Sequence, residues 1–253
     1  MSLEHRESQP SGEPQRERPP VEIELKVVDL GPLPDFIKKI EQSGAKLVVP
    51  RRLLHDEAFK LSKEFRSGEA RSFFLPTDLS TDKVQLGHAL EILGLKLNGE
   101  SENKINLERP SGELPRRTTR LRRDGEQLYW TVKKRRKADG ATVDHRQEAN
   151  VSISDPSAVS ELLVGLGYKL NSVREKYRTS YDLAGALVEV NEGPVAPPWV
   201  EVEAEDEATV LNTITQLGYG LENTARISDA AYYRGHGVPE EKLRNLVFEQ
   251  PVE

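Results

Sequence analysis

Thirteen charged side chains recur at alternating positions within short apolar runs. Val21–Lys26 carries Glu22, Glu24 and Lys26 between Val21, Ile23 and Leu25. Arg120 and Arg122 flank Leu121, and Lys133 shares a face with Tyr129 and Thr131 against Trp130 and Val132. Arg146 and Glu148 alternate with apolar or neutral neighbours, as do Lys176 and Arg178, Glu189 and Asn191, and Glu201 and Glu203. A strand sends successive side chains to opposite faces, so each run has one charged and one apolar face. The six carboxylates are oxygen donors of the kind that hold Mg²⁺ or Mn²⁺. The seven cations suit phosphate, and the arginines among them can clamp it bidentately. These charges sum to +1, and a triphosphate of about −4 with two divalent ions leaves that sum unchanged.

Two arrangements accommodate such strands. In one, the apolar faces form an ordinary interior and the charged faces are solvated. In the other, a closed antiparallel barrel turns its charged faces inward, and amphipathic helices cover its apolar outside. Two features favour the second. The helices carry stripes that need an apolar sheet to pack on. The charged positions of both signs also alternate with little of the Thr, Ser, Asn and Gln that normally dilute exposed faces.

The elements that position these residues follow in order. Residues 1–20 carry four prolines and almost no apolar side chains, which predicts a disordered tail. A strand over 21–28 precedes a helix opened by Pro34 and Asp35, with Phe36, Ile37 and Ile40 as its stripe and Gly44 as its stop. Residues 45–59 read as extended, with Asp56 near their end. Residues 60–115 have little periodicity. Helices are expected over 60–71 and 88–97, within a segment read mainly as disordered, a lid or a partner site. Asp124-Gly125 then signals a hairpin between 118–123 and 127–135, and a turn follows at 138–140. A strand runs on to about Ile153. Asp155-Pro156 caps a helix bearing Val159, Leu162, Leu163 and Leu166. Strands over 173–183, 186–191 and 199–204 lead to a helix capped by Asp206 with Val210, Leu211, Ile214 and Leu217. A short helix is expected over 227–233, and a tail from about residue 236 onward.

The bulk composition sets outer limits. With 253 residues, 36% hydrophobic and 31% charged, the chain supports a thin core and a heavily charged surface or interior. The net charge of −6 argues against non-specific nucleic-acid affinity. The absence of cysteine excludes disulfides, thiol catalysis and Cys-ligated zinc. No apolar run approaches the length of a membrane span, and the first twenty residues lack a signal-like apolar region, so a cytoplasmic location is expected. The five histidines lack metal-ligand spacing, and neither a nucleophile elbow nor a Gly-rich phosphate loop is present.

Taken together, Glu22-x-Glu24-x-Lys26, Arg120-x-Arg122, Thr131-x-Lys133, Arg146-x-Glu148, Lys176-x-Arg178 and Glu201-x-Glu203 resemble the CYTH superfamily, the triphosphate tunnel metalloenzymes. The resemblance spans about residues 21–233, interrupted by 60–115. It implies an α+β fold, an eight-stranded antiparallel barrel tunnel that binds a triphosphate with Mg²⁺ or Mn²⁺. By position it assigns Glu22, Glu24, Glu201 and Glu203 to metal, with Glu189 or Asn191 where relatives place an Asp. It assigns Lys26, Arg120, Arg122, Lys133, Arg146, Lys176 and Arg178 to phosphate. Lys26 and Glu148 are the expected catalytic residues, Glu148 acting on a metal or a water. Asn150, where relatives often carry a second acid, is a departure that bears on the second metal.

The expected activity is metal-dependent triphosphate hydrolysis. The alternatives are cyclisation of ATP to cyclic AMP and pyrophosphate, with Phe59, Tyr129 or residues 60–115 as places for a base, and a non-enzymatic polyphosphate-binding module. The expected partner is a small-molecule triphosphate, without membrane or nucleic acid, and homodimerisation stays open. The 116–137 hairpin holds ten Lys and Arg, but half of them belong to the inward set or to turns.

Overall fold

The computed structural model describes residues 21–114, 117–136 and 142–249. The expected tail over 1–20 and the turn at 138–140 lie outside them.

Eight strands form the barrel: β1 Val21–Val27, β2 Lys46–Leu61, β3 Thr118–Asp124, β4 Gln127–Arg136, β5 Asp144–Ser152, β6 Tyr168–Leu183, β7 Ala186–Glu192 and β8 Trp199–Ala204. Around the barrel the order is β5-β4-β3-β2-β6-β7-β8-β1, and β1 returns to β5 to close it. Every pairing in this ring is antiparallel. Closure leaves β1 seated between Ala204–Val200 of β8 and Gln147–Asp144 of β5. The β3–β4 hairpin turns through Gly125 and Glu126, and Gly125 takes φ 61°, a conformation that disfavours any side chain.

The alternation expected of the strands is realised as a charged inside and an apolar outside. Ile23, Leu25 and Val27 leave the lumen to join a core with Phe36 and Ile40 of α1 (Leu33–Gln42) and Val210 and Ile214 of α4 (Glu207–Gln216). Trp130, Val132, Ala149 and Val151 face outward into a second core with α2 (Lys83–Leu93) and α3 (Pro156–Gly165). The caps match their signals: Asp155 accepts the N–H of Ser157 at 2.8 Å, and Asp206 that of Thr209 at 2.8 Å. Among the described residues no helix is long and apolar enough to cross a membrane.

Two segments correct the reading of the sequence. Residues 60–114 are ordered. Lys60 and Leu61 end β2, and a three-residue 3₁₀ turn follows where a helix was expected. The second helix begins five residues earlier than expected, at Lys83, because Asp82 caps it by accepting the Gln85 N–H at 2.9 Å. It ends at Leu93, where Gly94 takes φ 80°. Strands Arg71–Pro76, Lys104–Arg109 and Lys96–Ser101 make a small sheet over it. Leu86, Ala89, Leu90 and Leu93 pack on the barrel, so the insertion supplies one of its covering helices. The other correction concerns the end of the chain. The last helix is α5 (Asp229–Gly235), and the residues expected as a tail dock instead. Asn245 and Leu246 pair in parallel with Val173 and Arg174, and Leu243 and Leu246 bury against Trp199, Tyr232 and Tyr233.

Candidate functional site

The barrel encloses a cavity of about 600 Å³. All thirteen charged residues singled out from the sequence line it. So do Tyr129, Thr131 and Asn150, whereas Phe59 buries in the outer core. Asn191 lies at the wall, where its Oδ1 accepts from Arg178 Nε at 2.9 Å and so aims that guanidinium.

The lumen has two chemically distinct walls. The adjoining strands β7, β8 and β1 contribute Glu189, Glu201, Glu203, Glu24 and Glu22, with Lys26 as their one cation. Across the lumen stand Arg52, Arg120, Arg122, Lys133, Arg135, Arg174, Lys176 and Arg178, with Arg146 beside them on β5. Carboxylates on the basic side are already paired. Asp56 receives Arg122 Nε at 2.7 Å and its Nη2 at 2.8 Å, with Arg120 at 3.4 Å. Asp124 holds Arg52 at 2.6 Å, Asp144 holds Arg135 at 2.6 Å and Arg146 at 3.2 Å, and Glu148 pairs with Lys133.

On the acidic wall, one carboxylate oxygen each from Glu189, Glu201 and Glu203 lies within 4.8 Å of the others. Arg178 pairs with Glu189 and reaches Glu201 at 2.8 Å, and Lys26 also pairs with Glu201. Glu203 makes no ion pair among the described residues. Burial, with Glu189 beside it, holds the Glu203 carboxyl well above its ordinary range. Burial and the nearby Glu148 push Glu22 up to about 8, and burial with Glu201 raises Glu24. Burial acts to raise Glu148 as well, but Lys133, a hydrogen bond with Glu22 and Arg120 together outweigh it and bring that acid to about 2. Burial would lower Lys26, yet Asp229, Glu201 and Glu24 hold it above its ordinary value. This wall is therefore short of positive charge. Its all-oxygen donor set fits a hard divalent cation, whose binding would release the protons that crowding retains.

Sequence reasoning missed several lining residues, among them Arg52, Asp144, Arg174, Arg226 and Asp229. Asp56 was seen only as part of an extended run. Its lumen-facing neighbour Ala58 is uncharged, so no alternation marked it. Asp229 enters from α5, outside every strand, where a period of two has no meaning.

Asp56 yields a pH prediction. Burial would raise its carboxyl, but Arg120 and Arg122 hold it well below the usual 3.8. Its folded pKa is depressed, so its stabilising contribution is complete above about pH 4 and is lost as pH falls below that. The urea midpoint of the wild type should fall more steeply between about pH 4 and pH 2 than that of Asp56→Asn. Parallel curves would show that the guanidiniums are indifferent to this carboxylate.

The family model for the CYTH domain matches residues 93–228. Similar solved structures include the PH1012 protein of Pyrococcus horikoshii OT3, 19% identical with a TM-score of 0.53, over 82% of this chain and 96% of that one. A conserved hypothetical protein of Pyrococcus furiosus is 17% identical, with a TM-score of 0.52, over 82% and 97%. A candidate adenylate cyclase of Vibrio parahaemolyticus is 12% identical, with a TM-score of 0.52, over 86% and 99%. At these identities the likeness shows the barrel fold. A comparison with curated proteins found no match.

Proposed function

The chain belongs to the CYTH domain family, and from that premise we propose that it hydrolyses a triphosphate in the tunnel with Mg²⁺ or Mn²⁺. The observation that carries this reading is the charge balance of the two walls. Eleven acidic and eleven basic residues line the lumen, so it is formally neutral. A triphosphate bound alone would leave about −4 in a confined space, and two divalent cations would cancel it.

Arg120, Arg122, Lys133, Arg146, Lys176 and Arg178 lie where they can bind phosphate oxygens, and Lys26 reaches the chain from the acidic side. Arg122 is held at two points by Asp56, so its three remaining N–H donors are presented in a fixed plane. Glu189, Glu201 and Glu203 would hold the metal, with Glu22 and Glu24 beside them. When bound, the metal supplies electrostatic stabilisation of the charge that develops on the transferring phosphoryl. Phosphate entering the basic wall competes with Glu201 for Lys26 and Arg178, which frees that carboxylate for metal. Glu148, kept ionised by Lys133, is too weak a base to take a proton before attack. It can accept a hydrogen bond from water and orient it.

Product analysis tests this reading, with tripolyphosphate, thiamine triphosphate and ATP each supplied with Mg²⁺ or Mn²⁺. Orthophosphate release is expected, abolished by EDTA and reduced at least about 100-fold in Glu201→Gln and Lys26→Ala. Cyclic AMP and pyrophosphate from ATP would overturn hydrolysis in favour of cyclisation. Metal-dependent binding without turnover would leave a binding module.

A further inference from the structure

Lys26 and Lys176 are both expected to meet phosphate, yet in this structure they share two carboxylates: Glu201, which pairs with Lys26 and lies 4.0 Å from Lys176, and Asp229, which bridges them more evenly. Asp229 Oδ1 lies 3.0 Å from Lys26 Nζ, and Oδ2 lies 3.5 Å from Lys176 Nζ. The lysine side chains are 3% and 8% exposed, so water solvates them poorly and an anion must sit between them. Asp229 comes from neither lysine's strand. Thr224 and Ala225 pair with Val27 and Lys26 along the edge of β1 that β5 leaves free, and carry the chain to Ser228. Ser228 caps α5 by accepting the Ala231 N–H at 3.2 Å. Tyr232 and Tyr233 pin the helix to Trp199, with ring centroids 5.1 and 5.8 Å away. The Asp229 side chain is 26% exposed to the lumen and can rotate off the lysines while the helix stays anchored.

A carboxylate with each oxygen on a different ammonium occupies the place of two oxygens of a phosphoryl group. We infer that Asp229 is a resident anion which a substrate must displace, and that it restricts the tunnel to chains ending in a free terminal phosphate. The inference rests on the triphosphate reading above. A terminal phosphate carries nearly two negative charges at neutral pH and so outcompetes a carboxylate. An esterified phosphate, as in a phosphodiester or a triphosphate blocked at both ends, carries one. It offers the lysines no more than Asp229 already does. The favoured class is therefore inorganic or singly esterified oligophosphate, and internally linked polyanions are excluded.

The test is titration calorimetry of the full chain with inorganic tripolyphosphate and with diadenosine triphosphate, which is esterified at both ends, each in Mn²⁺. Wild type should prefer tripolyphosphate strongly. Asp229→Asn should bind the blocked compound about tenfold more tightly or better, shrinking the preference, because only Glu201 then competes for the lysines. Asp229→Glu should restore the preference, and circular dichroism would verify that all three proteins are folded. A preference unchanged in Asp229→Asn, or weaker binding of both compounds by it, overturns the role given to Asp229 alone. Failure of the wild type to bind tripolyphosphate overturns the triphosphate reading and this inference with it.

Discussion

Replacing Arg178 by alanine is expected to lower the thermal midpoint by about 10 °C and to abolish triphosphate turnover. The side chain is 9% exposed and serves three partners: it pairs with Glu189, reaches Glu201 at 2.8 Å and donates to Asn191 at 2.9 Å. Removing one member of a buried pair strands the other, at about 3–5 kcal/mol. In a protein of this length each kcal/mol moves the midpoint by about 2–4 °C. The lumen admits water, which favours the lower part of that range. Arg178→Lys keeps the charge but loses the fork that spans two carboxylates, and should recover stability in part while turnover stays low. Differential scanning calorimetry with a phosphate-release assay checks both effects. An unmoved midpoint would mean that lumen water, and not the guanidinium, compensates Glu189 and Glu201.

The second large effect lies far from the chemistry. Leu90→Asp should leave little soluble folded protein. Leu90 is 2% exposed and sits on α2 in the core that includes Trp130, Val132, Ala149 and Val151. Losing the leucine costs about 2–5 kcal/mol, and burying an unpaired carboxylate adds several more. Together these approach the whole stability of an ordinary domain, about 5–15 kcal/mol. Val84→Asp, on the same helix but 60% exposed, should change stability by no more than about 0.5 kcal/mol. Soluble yield and urea unfolding compare the two. Equal behaviour would show that the barrel keeps its fold without this helix.

These two residues also mark the limits of what was legible in the sequence. Arg178 sits in a strand where Lys176 and Arg178 alternate with outward-facing Tyr177 and Thr179, so a period of two exposed it directly. The same pattern revealed the tunnel and its lining. Leu90 lies where the pattern failed. The strands over 71–76, 96–101 and 104–109 are short, and they form a sheet in which Phe74 and Leu97 stay more than half exposed. Burial there does not follow a clean alternation. The stripe of Leu86, Ala89, Leu90 and Leu93 was present, but polar, glycine-containing stretches on either side obscured its boundaries. Asp229 shows a further limit: a single acid from a seven-residue helix carries no periodic signal, and only the tertiary path along β1 brings it to Lys26.

The seating of β1 between β5 and β8 bears on how the chain is made as well as on what it holds. Its partners lie at residues 144–147 and 200–204, so the strand leaves the ribosome long before either exists. At about 5–20 residues per second, the interval before β8 emerges is on the order of 10–35 s. Until β5 emerges both edges of β1 are unpaired, and until β8 emerges one still is, the state in which apolar strands join one another and aggregate. Glu22, Glu24 and Lys26 interrupt its apolar residues at every second position and oppose such association. The charges that line the finished tunnel thus first act as gatekeepers of the nascent chain.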